Sequence, residues 1–274
     1  EMDDNAAALP QGEAMTDVNV VYVQLESFFD PQQIKGLEFN QDPLPNWHAL
    51  QEKYTTGFLT VPVVGAGTAN TETEVLTGMS TRFFGPGEYP YKTVLTENTA
   101  ESVAYILKGL GYGTHAVHNH RGVFYGRNKV YKNLGFDTFT SLEYMANTTM
   151  TPKNWCKDKV LTGEIKAALD STDTPDLVYT VSVQGHGKYP TAPELEDPAI
   201  TVESIPNEDQ HYSMEYYANQ IHEMDEFIGQ LVEMLENRDE KTILVMYGDH
   251  LPALQMDEDT LLTHDLYKTE YLRS

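Results

Sequence analysis

Cysteine occurs once in the 274 residues, as Cys156, so no disulfide can close within the chain and a cysteine-based zinc site is excluded. No stretch approaches the roughly 20 apolar residues needed to span a bilayer, and no signal peptide is present at the opening EMDDN. Basic residues are scarce. Lys and Arg total 18 against 42 Asp and Glu, a formal net charge of −24. That balance makes nucleic acid a poor partner and repels anionic ligands at long range. A phosphate site here has to be cationic locally. A screening length of about 8 Å lets a metal ion and a few basic side chains govern their own neighbourhood.

What is present is enough apolar material, 40% of the chain, for one sizeable core. Residues 1 to 17 read as a polar linker or arm and 18 to 274 as a single α/β domain. VNVVYVQLE, 18 to 26, is a near-continuous apolar run suited to a central strand buried on both faces, with Glu26 at its exit. The chain then breaks at Asp42 to Pro45, forms a short helix in NWHALQEK and returns as a strand in TTGFLTVPVV. Gly65, Ala66 and Gly67 turn sharply into a helix that starts near Thr68. The hydroxyl there sits near backbone N–H groups and a dipole end that favour an anion, although such a turn also serves as a plain N-cap. Glu72 and Glu74 read as first-turn acids complementing that dipole.

The alternation of helix and strand continues. NTAESVAYILKGLGY is a capped helix with an apolar stripe of Val103, Ile106, Leu107 and Leu110, and YGTHAVHNH is the next strand. VYKNLGFDTF closes that unit, and 140 to 157 is irregular. A second helix, DKVLTGEIKAALD, leads to strand DLVYTVSVQ and the turn GHGKYP. The acidic run from Thr191 to Asp209 reads as a solvated surface loop. Met214, Tyr217, Ile221, Met224, Ile228, Leu231 and Leu235 mark one face of a long helix, a core stripe beside which His222 needs no role. KTILVMYGDH is the last strand, carrying Asp249 and His250 at its end. The fold class is α/β, a largely parallel central sheet flanked by helices on both faces.

An acid, a hydroxyl, an acid and an imidazole at strand ends, Glu26, Thr68, Asp249 and His250, can converge on one divalent cation. Oxygen ligands with one imidazole suit manganese or magnesium, and the residues alone do not separate the two. On composition alone Glu26 also fits a solvated loop acid, and the His115, His118 and His120 group a surface cluster.

The motifs Q-L-E-S, G-T-A-N-T-E-x-E-V-L-T-G, H-x(8)-R, Q-x-H-G and Y-G-D-H resemble the extracellular catalytic domain of lipoteichoic acid synthase and related phosphoglycerol transferases, members of the alkaline phosphatase and sulfatase superfamily. The resemblance covers roughly residues 18 to 255. It implies an alkaline phosphatase/sulfatase-like fold, Thr68 as nucleophile and metal ligand, and Glu26, Asp249 and His250 as the other ligands of one cation, manganese in the family. It places His118 and Arg127 on the substrate phosphate and His186 near the leaving or accepting oxygen. It further implies phosphatidylglycerol as donor, diacylglycerol as leaving group and a polyglycerolphosphate acceptor. With it go the expectations of a covalent phosphoryl-threonine between the two half-reactions and of a monomer at the outer face of a bacterial membrane, held by an anchor this chain lacks or secreted after processing. Further sheet is expected beyond the last strand.

Where these synthases carry an acidic residue and a W-N-R triplet, this chain has His120 and Tyr125-Gly126-Arg127. NWCKDK does not match the C-x-P-x-R-type sequence from which sulfatases make their nucleophile, which argues against sulfate esters and leaves Cys156 as packing. A phosphodiesterase, a phosphatase or an atypical sulfatase on the same scaffold, and a non-catalytic cell-surface binding domain, are the alternatives.

Overall fold

A computed structural model describes residues 17 to 34, 36 to 205 and 208 to 254. The arm at 1 to 16 and the expected continuation past 254 lie outside the described residues. Five strands form a parallel sheet: β1 (Val18–Leu25), β3 (Gly113–His118), β4 (Thr138–Ser141), β5 (Asp176–Val181) and β7 (Lys241–Gly248). They lie in the order β4-β3-β5-β1-β7. Two short strands, β2 (Glu38–Phe39) and β6 (Val202–Ser204), pair antiparallel beside it. The Thr191 to Asp209 run is therefore tied down in part, rather than being solvated loop throughout.

Helices cover both faces because each central strand is apolar at consecutive positions. Val21, Val23 and Leu25 point into one core with Leu161 and Ile165 of α6 (Val160–Leu169) and the long α7 (His211–Glu236), against which α1 (Pro45–Lys53) also packs. Val20 and Tyr22 point the other way, towards α2 (Thr68–Thr77), α4 (Val103–Gly109) and α5 (Arg127–Asn133), with Leu95 of the one-turn α3 (Val94–Glu97). All seven stripe residues of α7 are buried, which at about 1.5–3 kcal/mol per fully buried large apolar side chain makes that helix a principal source of stability.

Three expectations fail. Residues 55 to 64 form no strand: Pro62 lacks a ladder donor, Phe58 is 94% exposed, and the segment reaches the last strand's loop through Gly65 N to Leu251 O at 3.0 Å. The stripe on α4 is partial, since Ile106 and Leu110 are 54% and 50% exposed and Ala104 is the residue buried. Glu72 and Glu74 lie beyond the first turn of α2 and have side-chain partners, so neither simply complements the dipole.

Candidate active site

A parallel sheet delivers every strand exit to the same edge, which is where ligands bind in open α/β sheets. Glu26 follows β1, His118 ends β3, His186 follows β5, and Asp249 and His250 follow β7. Thr68 reaches that edge as the first residue of α2, behind Gly67, whose φ of 105° is left-handed. A Cβ at Gly67 would meet Val63 Cγ1 at 2.9 Å, so glycine is required twice over. Gly185 is needed for a different reason: a Cβ there would fall 2.2 Å from Glu26 O, where the β5 loop crosses the exit of β1.

The four expected ligands meet. Thr68 Oγ1 donates to Glu26 Oε2 at 3.0 Å, and His250 Nε2 lies 3.4 Å from both Glu26 Oε1 and Asp249 Oδ2. One ligand atom from each of Glu26, Asp249 and His250 falls within 4.8 Å of the others. Ser27, itself at φ 53°, donates its N–H to Asp249 Oδ1 at 2.7 Å and its hydroxyl to Glu26 Oε1 at 3.0 Å. The His250 Nδ1–H donates to Leu251 O at 3.0 Å, which turns Nε2 towards the acids.

The charges are mutually dependent. Burial, then the charge of Glu26, push the Asp249 carboxyl up to about 8. Burial works against ionised Glu26 as well, but the hydrogen bond and charge of His250 hold it below the usual range. Burial would lower the His250 imidazole too; its bond to Glu26 and the charge of Asp249 outweigh that and push it up to about 9. Asp249 Oδ2 is buried without a hydrogen-bond partner. Two buried carboxylates, one orphaned oxygen and an inward imidazole fit a divalent cation, and the donor set suits manganese or magnesium.

Around this group stand the expected phosphate residues. His118 Nδ1–H donates to Val181 O at 2.8 Å, and its Nε2 is buried and unpartnered. Burial, and secondarily the charge of Arg127, hold this imidazole well below its usual range, so it is neutral. Arg127 is 1% exposed and gives Nε to both oxygens of Glu72, at 3.2 and 3.1 Å, and Nη2 to Oε1 at 2.5 Å. Its third nitrogen, Nη1, is buried with no partner. His186 is half-buried, its Nδ1 bonded to Gly187 O at 2.5 Å. His115 is structural, bonded to Thr138 Oγ1 and Asp176 Oδ1 at 2.7 and 3.1 Å.

Sequence reasoning missed Glu72, Trp155 and Asp158. Glu72 had a readable signal: four residues after Thr68, it shares that residue's helix face. Trp155 packs against His186 with centroids 4.2 Å apart and planes tilted by 36°. Asp158 Oδ1 accepts Asn119 Nδ2 at 2.7 Å and the backbone N–H groups of Val183 and Gln184 at 3.2 Å each. It therefore ties the β3 loop to the β5 loop. No local pattern marks either residue.

An open parallel sheet with an acid, hydroxyl and imidazole group at its carboxyl edge is the ligand-binding architecture of an α/β enzyme. The sulfatase family profile matches residues 18–272, and the chain belongs to that family. A Rhizobium meliloti (strain 1021) protein named for cyclic beta-1,2-glucan modification is 35% identical over 237 residues, 86% of this chain and 36% of that protein. Lipoteichoic acid synthase 2 of Bacillus subtilis (strain 168) is 28% identical over 157 residues, 56% of this chain and 23% of the synthase. The chain thus spans well under half the length of these curated relatives. Among solved structures, the Streptococcus pyogenes phosphoglycerol transferase GacH, in complex with sn-glycerol-1-phosphate, superposes with a TM-score of 0.80 at 23% identity, over 92% of this chain and 66% of that one. The Listeria monocytogenes lipoteichoic acid synthase LtaP gives 0.72 at 20%, over 92% and 60%. The alkaline phosphatase-like fold expected from the motifs is the fold observed.

Proposed function

We propose that this chain is the catalytic domain of a metal-dependent phosphoglycerol transferase, using Thr68 as nucleophile and an anionic phospholipid, phosphatidylglycerol, as donor. The observation that carries this reading is the convergence of Thr68 Oγ1 with Glu26, Asp249 and His250, in a fold that also buries two unpartnered nitrogens, Arg127 Nη1 and His118 Nε2. A cation held by Glu26, Thr68, Asp249 and His250 supplies a lowered hydroxyl pKa at Thr68 and charge neutralisation for the phosphate.

In the first half-reaction Thr68 Oγ1 gives its proton to Glu26 Oε2, the oxygen it already donates to, and attacks phosphorus. The bond from phosphorus to the diacylglycerol oxygen breaks, and that oxygen takes up a proton from His186, which the proton released by Thr68 replaces before the next cycle. Arg127 Nη1 binds a non-bridging oxygen. His118, its Nδ1–H committed to Val181, presents Nε2 as a lone pair that becomes a donor once a bound anion raises its affinity for a proton. In the second half-reaction an acceptor hydroxyl forms the new O–P bond, the bond to Thr68 breaks, and Thr68 regains a proton.

The motif resemblance favours a polyglycerolphosphate acceptor of the lipoteichoic acid type. The 35% identity to a protein named for glucan modification favours a saccharide hydroxyl. A lipid donor with either acceptor favours a domain that works at the outer face of a membrane. Incubation with phosphatidylglycerol labelled in its headgroup, with manganese, tests the reading: released diacylglycerol with labelled acceptor means transfer, and free glycerophosphate alone means hydrolysis.

A further inference from the structure

His186, which stands beside Glu26, is one member of a contiguous group of rings. Trp155 packs against it, tilted, with ring centroids 4.2 Å apart, His120 meets Trp155 edge-on at 5.4 Å, and Phe124 meets His120 at 5.1 Å. Trp155, His120 and His186 are half-buried and Phe124 is 42% exposed, so the group forms a rim rather than a core. The Trp155 indole N–H and both His120 ring nitrogens meet no hydrogen-bond partner among the described residues. With His186 Nδ1 held by Gly187 O, its Nε2 is the free nitrogen.

The rim is fixed in advance. Trp155 lies in a tight loop closed by Thr151 N to Trp155 O at 2.7 Å, Trp155 N to Thr151 Oγ1 at 3.1 Å and the Met150–Cys156 bridge. Cys156 O accepts Asn119 Nδ2 at 3.1 Å, and Asp158 holds both histidine-bearing loops. Little ordering remains to be done when a ligand arrives.

We propose that Trp155, with His120 and Phe124, forms the acceptor subsite and that it takes the face of a neutral sugar ring, presenting one sugar hydroxyl to His186 Nε2. This rests on the transfer reading above and names its acceptor class. A sugar offers an apolar C–H face rimmed by hydroxyls, which matches ring faces interleaved with free N–H and imidazole nitrogens. An acyl chain calls for an apolar groove without polar atoms between the rings. A polyanionic acceptor calls for unpaired cations, yet Lys153 and Lys157, which flank Trp155, are ion-paired with Glu194 and Glu223. In the step itself the sugar oxygen bonds to phosphorus as the Thr68 O–P bond breaks. The hydroxyl proton passes to His186 Nε2 and thence to the departing Thr68 oxygen.

The chain contains two tryptophans, so Trp47→Phe leaves Trp155 as the one indole reporter. Titration of that protein with a neutral glucose oligosaccharide is expected to give a saturable emission change, and polyglycerolphosphate or a short-chain diacyl lipid is expected to give none. In turnover, Trp155→Ala raises the acceptor KM by about tenfold or more, the loss of some 1.4 kcal/mol. Trp155→Phe restores most of it, and Trp155→Leu, which fills space without a ring face, does not. A saccharide-dependent signal with no transferred label sinks the transfer reading and leaves the subsite standing. Emission that answers to polyglycerolphosphate or lipid instead, or an oligosaccharide KM equal in Trp155→Leu and wild type, overturns the subsite.

Discussion

Arg127 commits two of its three guanidinium nitrogens to Glu72 and keeps the third, Nη1, buried and free. Glu72 is fully buried and also accepts Tyr131 OH at 2.6 Å, so the pair is locked from both sides. Removing one charge of such a pair strands the other. Glu72→Gln is expected to lower stability by about 3–5 kcal/mol, read as a denaturant midpoint, and to weaken donor turnover. The double change Glu72→Leu with Arg127→Met is expected to recover most of the stability and none of the turnover. Recovery of both would deprive Arg127 of its phosphate role.

Thr68 carries the covalent chemistry in the proposed reaction. Thr68→Ala is expected to cut diacylglycerol release by at least about a thousandfold, the scale on which loss of a nucleophile is felt. Thr68→Ser keeps a hydroxyl and retains part of the rate. Mass spectrometry of protein quenched with donor and no acceptor should find glycerophosphate on the peptide containing Thr68. Full activity in the alanine variant ends the mechanism.

The acid and imidazole group should bind a divalent cation in competition with protons. Asp249 at about 8 and His250 at about 9 both hold protons at neutral pH in the absence of a cation, and a metal ligand must give them up. Manganese or magnesium binding is therefore expected to tighten as pH rises from 6 to 8 and to release protons, which calorimetry in two buffers of different ionisation enthalpy measures. Asp249→Asn is expected to weaken the cation by more than the roughly 10–100-fold typical of losing an outer partner, and chelator should abolish turnover.

Asp158 makes a separate pH prediction, away from the metal group. Burial raises its carboxyl from the ordinary 3.8 up to about 6, although the N–H groups of Asn119, Val183 and Gln184 oppose the rise. The folded state thus holds this proton at pH values where the unfolded chain has lost it. Stability from this group is greatest below the unfolded value and falls as pH rises through about 6, a cost of about 3 kcal/mol when fully ionised. Asp158→Asn should remove that slope. Denaturant unfolding from pH 4.5 to 7.5 is expected to show the variant gaining on wild type as pH rises.

How much of this was legible follows from the range of the forces involved. The buried strands at 18 to 26 and 176 to 184, the α7 stripe and the turn into Thr68 were readable because periodicity and glycine conformation are local properties. The segment at 55 to 64 was misread because its apolar residues suit a strand, while Pro62 and the absence of a strand partner decide otherwise. Glu72 was misread because its partner is 55 residues away.

The sequence by itself determined the helix and strand alternation, the acidic balance, the exclusion of disulfides and the four residues that suit a hard cation, three after strands and Thr68 at a helix start. Tertiary structure alone decided that those four lie within ligand reach, that Glu72 fixes Arg127, and that Trp155 and Asp158 frame His186. Composition and spacing act along the chain, whereas burial, desolvation and pairing of charge depend on which distant segments the parallel sheet brings to one edge.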